Sequence, residues 1–260
     1  MAQKQAEIQL LTEFLMDYTL TMLSVGSYTS RAIQCVKRIG EAFGYEVYIS
    51  IFSKTINISV IAANDYTQSK TFVRSYKDSA ISFDKIALLS ALSWQAYDDK
   101  ITFEKLKENY HKIIKRGGFG FFGYLILQGF AFAAFCRLFG GDFGAMGSVF
   151  IATLVGVSLR KCLIHLKVDL RLVFVLCAFV ASMMAYLGNI LGFTQTPDVA
   201  IGSSVLFLIP GIYLINGVID ILDGHSLNGI SRIIRVIILI SCIAIGLYAT
   251  LSFSNIRMEY

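Results

Sequence analysis

Residues 199–221, VAIGSSVLFLIPGIYLINGVIDI, decide how this chain is built. They carry a single charge, Asp220, and a single proline, Pro210. A helix rising about 1.5 Å per residue crosses a hydrocarbon core of about 30 Å in about 20 residues, so this stretch is long enough to span a membrane. A proline at mid-span removes one backbone donor and clashes with the preceding turn. The run therefore reads as a membrane helix with a defect built into its middle.

Four more apolar segments of similar length flank it: Phe119–Phe139, Phe143–Leu159, Leu170–Leu191 and Ile230–Phe253. The whole composition agrees, with 260 residues of which 55% are hydrophobic and 16% charged, against about 45–50% and 25% in ordinary soluble domains. The charges are unevenly spread: residues 1–116 hold 27 of them and residues 117–260 only 14. This predicts a membrane α-helical protein, five transmembrane helices at 117–260, preceded by a small α+β domain at 1–116.

The turns sort by charge. Gly140-Gly141-Asp142 and Gly192–Asp198 carry no Lys or Arg, whereas Lys112, Lys115, Arg116, Arg160, Lys161, Lys167, Arg171, Arg232 and Arg235 collect at the opposite ends of the spans. Cations mark the cytoplasmic side, so the head is expected in the cytoplasm and the C-terminal Asn255–Tyr260 outside. The N-terminus shows no basic flank, apolar core and cleavage site in sequence, so no signal peptide is read.

In the head, Ile8, Leu11, Leu15, Tyr18 and Met22 repeat at helical spacing, and a second helix follows the Ser27–Ser30 cluster and ends near Gly44. Val47–Phe52 and Ile56–Ile61 are β-branched and aromatic and read as paired strands joined by Ser53-Lys54-Thr55, with a third strand at Lys70–Arg74. Helical periodicity returns over Ser82–Tyr97 and Thr102–Lys115. The membrane half has an odd span count and no internal repeat, although many transporters frame a midplane site with two related halves. A second chain, or a homo-oligomer of this one, is the expected completion.

Chemistry concentrates after the proline. Pro210 should free carbonyls near Leu206 and Phe207, and Gly211 allows close approach, unless the segment is a plain kink. Asn216 and Asp220 share one helix face, in line with Gly217 and Asp223. Such a stripe is costly in lipid and belongs in an interior. Asp220 either takes a proton and orients a polar substrate, or pairs with Arg232 or Arg235 across the short following loop. Asp142 suits the cap of the second span. Ser24–Arg31 reads as a polar loop at a helix N-terminus, holding either an anion or an ordinary Ser/Thr cap.

Other classes find little footing. Five scattered cysteines and three separated histidines give neither a disulfide framework nor a metal set. No nucleophile elbow, phosphate loop or H-E-x-x-H helix is present, so no enzyme activity and no cofactor is expected. The net charge of +5 without a dense basic tract gives no footprint for nucleic acid.

Three segments resemble the threonine/serine exporter family: Gly26-Ser27-Tyr28-Thr29-Ser30-Arg31 with Gly40 and Gly44; Phe139-Gly140-Gly141-Asp142; and Pro210-Gly211 through Asn216, Asp220, Gly224, Gly229 and Arg232. The family's head motif commonly carries a carboxylate where Gly26-Ser27-Tyr28-Thr29 has none, and Gln34 stands where relatives often have an acid. In length the chain is similar to split, head-bearing members. The resemblance implies an inner-membrane transporter subunit exporting a small polar metabolite, threonine, serine or a dicarboxylate, coupled to protons and working with a second, smaller membrane protein. Pro210, Gly211, Asn216, Asp220 and Arg232 are then the expected transport path, with Gly141, Asp142 and Gly224 structural or gating. The rival reading is a membrane-anchored sensor or scaffold whose head binds a ligand.

Overall fold

The computed structural model describes residues 2–62, 65–77, 79–118 and 120–254; Phe119 and the C-terminal Asn255–Tyr260, placed above from sequence, lie outside the described residues. The elements in chain order are α1 (Ala2–Ser24), α2 (Thr29–Ala42), β1 (Tyr45–Phe52), β2 (Thr55–Ala62), β3 (Asp65–Ser75), α3 (Phe83–Asp98), α4 (Phe103–Lys115), α5 (Phe121–Leu138), α6 (Phe143–His165), α7 (Leu170–Ile190), α8 (Pro197–Ser204), a 3-10 turn at Leu206–Leu208, α9 (Gly211–Leu222) and α10 (Ser226–Ser254). They gather into two units, Met1–Gly118 with Ile212–Ile233, and Phe119–Gly211 with Ile234–Tyr260. The helical hairpin made by α9 and the first turns of α10 thus belongs with the N-terminal elements.

In the first unit the three strands form an antiparallel sheet in the order β1-β2-β3. Ile56, Ile58 and Val60 on β2 are fully buried, while Thr55 before them and Asn57 between the first two are exposed and Ser59 is half-buried, the two-residue alternation of a sheet with one covered face. The core beneath that face is built from Leu15, Tyr18 and Met22 of α1, Ile39 of α2, Leu89 and Leu92 of α3 and Leu106 of α4. Burying each such side chain contributes about 1.5–3 kcal/mol. Tyr18 is wholly buried and donates its hydroxyl to the Leu89 carbonyl at 2.6 Å, so its one polar atom is satisfied. Ser82 and Thr102 cap α3 and α4 by accepting from the Lys85 and Lys105 amides.

The strand boundaries move from those expected. Thr55 pairs with Phe52 across a two-residue Ser53-Lys54 turn with Ser53 at φ 54°, so Thr55 opens β2. The third strand is eleven residues long, because its register with β2 runs well beyond the alternating Lys70–Arg74 core.

In the second unit, α5, α6 and α7 are long and apolar enough to cross a membrane, as is α10, which both units share. Of the five expected membrane helices, four among the described residues are long and apolar enough to cross singly, and the fourth segment, α8 with α9, is a pair bent by 61° that makes the fifth if it crosses as one span. The second segment also extends past Leu159 to His165, since Arg160 and Lys161 end the apolar run without ending the helix. Small residues let these helices approach: a Cβ on Gly129 would lie 2.7 Å from the Phe150 ring, Gly156 faces Phe207, and Gly246 abuts the Val175 carbonyl. Membrane helices pack through such residues, because lipid supplies no hydrophobic drive. The buried hydroxyls of Ser182 and Thr250, 2.7 Å apart, share a hydrogen bond across α7 and α10.

Candidate functional site

Pro210 does more than kink its segment. Helix ends at the 3-10 turn, Ile209 is extended at φ −61° and ψ 121°, and α9 starts afresh at Gly211. The Leu206 carbonyl, expected to be freed, accepts the Ile209 amide at 3.1 Å, because a 3-10 turn closes one residue sooner than an α turn. A Cβ on Gly211 would meet nothing within 4 Å, so no close neighbour requires glycine there.

From this fresh start α9 carries Asn216, Gly217 and Asp220 on its buried face, while Asp223, grouped with them by spacing, is exposed. The helix ends in a Schellman turn: Gly224, at φ +85°, donates to the Ile221 carbonyl, and His225 donates to that of Asp220 at 2.7 Å. Gly224 is therefore the residue that folds α10 back along α9. The two helices then nearly touch, since a Cβ on Gly229 would lie 2.5 Å from the Gly217 carbonyl. That contact brings Arg232 to Asp220, with Nε 3.2 Å from Oδ2 and side chains 15% and 0% exposed.

A second half of the site comes from the far end of the sequence. After α1 the chain turns through Gly26, at φ +99°, into α2. Asn216 Nδ2 donates to the Gly26 carbonyl at 2.8 Å. Both terminal nitrogens of Arg232 lie 3.3 Å from the Ser27 carbonyl. Asp220 accepts the Thr29 main-chain N–H through Oδ1 at 2.8 Å and the Thr29 hydroxyl through Oδ2 at 3.0 Å. The N-cap residue of α2, Tyr28, makes no side-chain cap bond, so the Asp220 carboxylate satisfies the orphan amide at this positive helix end. The anion suited to the Ser24–Arg31 loop is thus a side chain of the protein itself, and the ordinary Ser/Thr cap is absent. A further tie holds α10: Asn228 accepts the Ser53 amide and donates to the Ile51 carbonyl, both at 2.8 Å.

Asp142 forms a separate polar centre in the second unit. It caps α6 by accepting the Ala145 amide at 2.6 Å, and it also takes the Thr194 hydroxyl at 3.0 Å and the Gln195 amide at 2.6 Å. The Gln195 and Ala145 amides hold its carboxyl below the ordinary carboxylate range. Next to it, a Cβ on Gly141 would lie 2.5 Å from Cys136 Sγ, so this turn admits only glycine without rearrangement.

Spacing alone brings Asn216 and Asp220 to one face and Arg232 within reach. Ser24–Arg31 reads as an anion loop or an ordinary cap, but nothing in the sequence pairs its Gly26, Ser27 and Thr29 with α9, and Asn228 and Thr194 carry no signal at all. The structure puts Tyr28, which makes no side-chain cap bond, at the N-cap position of α2, which leaves that helix end needing an acceptor from elsewhere.

The site thus joins a wholly buried carboxylate, a largely buried arginine and the first turn of α2. The model of the family described as "Putative threonine/serine exporter" matches residues 13–254. The chain belongs to the threonine/serine exporter family, and is a multi-pass membrane protein of that transporter class. It is 25% identical over 254 residues to a Klebsiella aerogenes protein named "Probable succinate transporter subunit YjjP", covering 96% of this chain and 97% of that one. A protein of the same name from Escherichia coli K12 is 25% identical over 236 residues, covering 89% and 91%. No solved structure matches.

Proposed function

We propose that this protein is the larger subunit of a two-component secondary transporter of the inner membrane, exporting a small polar metabolite that bears a carboxylate. Threonine, serine and succinate are the substrates to consider, and export is coupled to protons. The observation that carries this reading is the buried Asp220–Arg232 pair beside Asn216 on the helix restarted after Pro210. Broken helices expose polar groups to substrate in many transporters, and ionisable residues in membrane segments mark transport routes. Pro210, Gly211, Asn216, Asp220 and Arg232 form the path in this reading, and Gly141, Asp142 and Gly224 are structural or gating.

A cytoplasmic head is supported by the cations at the ends of the spans, and by the hydrogen bonds that tie the start of α10, where Arg232 and Arg235 lie, to the β1–β2 turn. A partner subunit is supported by the word "subunit" in both relatives' names and by five apolar segments, an odd number, without an internal repeat. The test is uptake of labelled threonine, serine and succinate into inverted membrane vesicles containing this chain alone or with its neighbouring small membrane protein, with and without a proton gradient. Gradient-dependent accumulation with both chains present is expected. No accumulation with both proteins inserted, together with metabolite binding to this chain, would favour the sensor.

A further inference from the structure

We propose that the outward face of α3 is a self-association surface, on which a second copy of this chain lays its own α3 antiparallel. The inference goes beyond the transport reading and does not rest on it.

α3 has two faces. Ile86, Leu89, Leu92, Ser93 and Ala96 are buried and turn to the core. On the opposite side Phe83, Ala87, Ala91, Trp94 and Tyr97 follow one another at intervals of four, four, three and three residues, the spacing of one helix face. All five are exposed, Phe83 by 64%, Trp94 by 48% and Tyr97 by 40%. Trp94 is the only tryptophan of the chain, and it is held in place. The Arg38 guanidinium lies 3.5 Å from the centre of its ring and donates to Ser93 Oγ at 2.7 Å, while the Tyr97 ring meets it edge-on at 6.5 Å. Aromatic side chains beside an arginine are the composition of interface hot spots, and fixing them beforehand lowers the entropy cost of binding.

The charges around the stripe select its occupant. Asp98 and Asp99 stand at the C-terminal end of α3, with Lys100 next to them. At the N-terminal end Asp84 is met by Arg116 at 3.7 Å, and Lys85 donates to the Ile114 carbonyl at 2.9 Å, beside Lys115. One end is therefore acidic and the other basic. Two carboxylates at the negative end of a helix are unfavourable within one chain, and the basic, positive end of a second α3 running the other way relieves them. A bilayer surface suits exposed aromatics, but the anionic leaflet repels this acidic end. Size fits as well as charge: with the two-fold axis beside Ala91, each Trp94 meets the small Ala87 of the other copy. The stripe is smaller than the about 20–30 residues a side of a standard interface. Chains already confined to one membrane meet at high effective concentration, so a small contact suffices.

The experiment is disulfide trapping of the full-length chain in liposomes at rising protein-to-lipid ratio, with the exposed Cys162 changed to serine, read beside the fluorescence of Trp94. Ala91→Cys, at the axis, should give a cross-linked dimer whose yield rises with that ratio, and the Trp94 emission should move to shorter wavelength in step. Asn57→Cys, exposed on the sheet, should stay monomeric. Adding Trp94→Ala to Ala91→Cys should lower the dimer constant about thirtyfold. Ala87→Glu, which removes no packed atom, should do the same and keeps the test intact if Trp94→Ala does not fold. Absence of a cross-link from both Ala91→Cys and Ala87→Cys, or yields unmoved by Trp94→Ala and Ala87→Glu, would overturn the inference, as would an equal yield from Asn57→Cys. Quenching of Trp94 by brominated lipid would overturn it in favour of a face seated in the membrane, and a cross-link that forms only with the proposed small membrane partner present would overturn it in favour of that subunit.

Discussion

Asp220 on α9 caps a helix that begins 191 residues earlier, accepting both the amide and the hydroxyl of Thr29. Its carboxylate therefore answers at once to Arg232, its neighbour across the helical hairpin, and to the first turn of α2. Any event that changes its charge changes both attachments together.

Thr29→Val should remove the hydroxyl bond and keep the amide bond. Hydrogen bonds to charged groups contribute about 1.5–3 kcal/mol, so equilibrium unfolding in detergent should show a loss of about 2 kcal/mol. Thr29→Ser should recover most of it. Equal stability of the Val and Ser variants would show that the hydroxyl contributes nothing.

Arg232→Gln should be more damaging than Asp220→Asn/Arg232→Gln. Removing one member of a buried ion pair costs about 3–5 kcal/mol because the other charge is stranded, and removing both relieves it. A double-mutant cycle read by unfolding should give a coupling of about 1–3 kcal/mol; additive single effects would contradict the pairing.

Gly229→Ala places a methyl group 2.5 Å from the Gly217 carbonyl and should force α9 and α10 apart, at a cost of about 1–3 kcal/mol. Gly202→Ala, where a Cβ meets nothing within 4 Å, should be neutral or slightly stabilising. Transport measured beside stability should fall for the first and persist for the second.

Asp142 gives a pH prediction. Its carboxyl is held below the ordinary range by the Gln195 and Ala145 amides, so folding favours the ionised form. Its stabilisation is then complete above the unfolded carboxyl range and is lost as pH falls through the lower folded value. The difference in melting temperature between wild type and Asp142→Asn should be constant near neutrality and shrink under acid. A difference that grows on acidification would reverse the sign.

Much of this was legible locally. Apolar length gave four helices and the fourth segment's defect, because span length and proline chemistry act within a few residues. Alternation gave β1 and β2, and the three- and four-residue spacing gave the shared face of Asn216 and Asp220. Whether Pro210 kinks or breaks its helix was not local, since it depends on where the 3-10 turn and the extended Ile209 find partners. The bond between Thr29 and Asp220 was wholly non-local: no periodicity relates α2 to α9, and Ser27-Tyr28-Thr29 looks like an ordinary cap until the actual cap residue proves to be Tyr28. The extension of α6 to His165 was missed because cations end a hydrophobic run but continue a helix.

The most direct test is labelled succinate and threonine uptake into inverted vesicles by wild type, Asp220→Asn and Arg232→Gln, each co-expressed with the proposed small membrane partner and matched for inserted amount. Uptake by wild type, with neither variant accumulating substrate although both are inserted, is the predicted result. Full uptake by Asp220→Asn at equal abundance would remove the buried pair from the transport path.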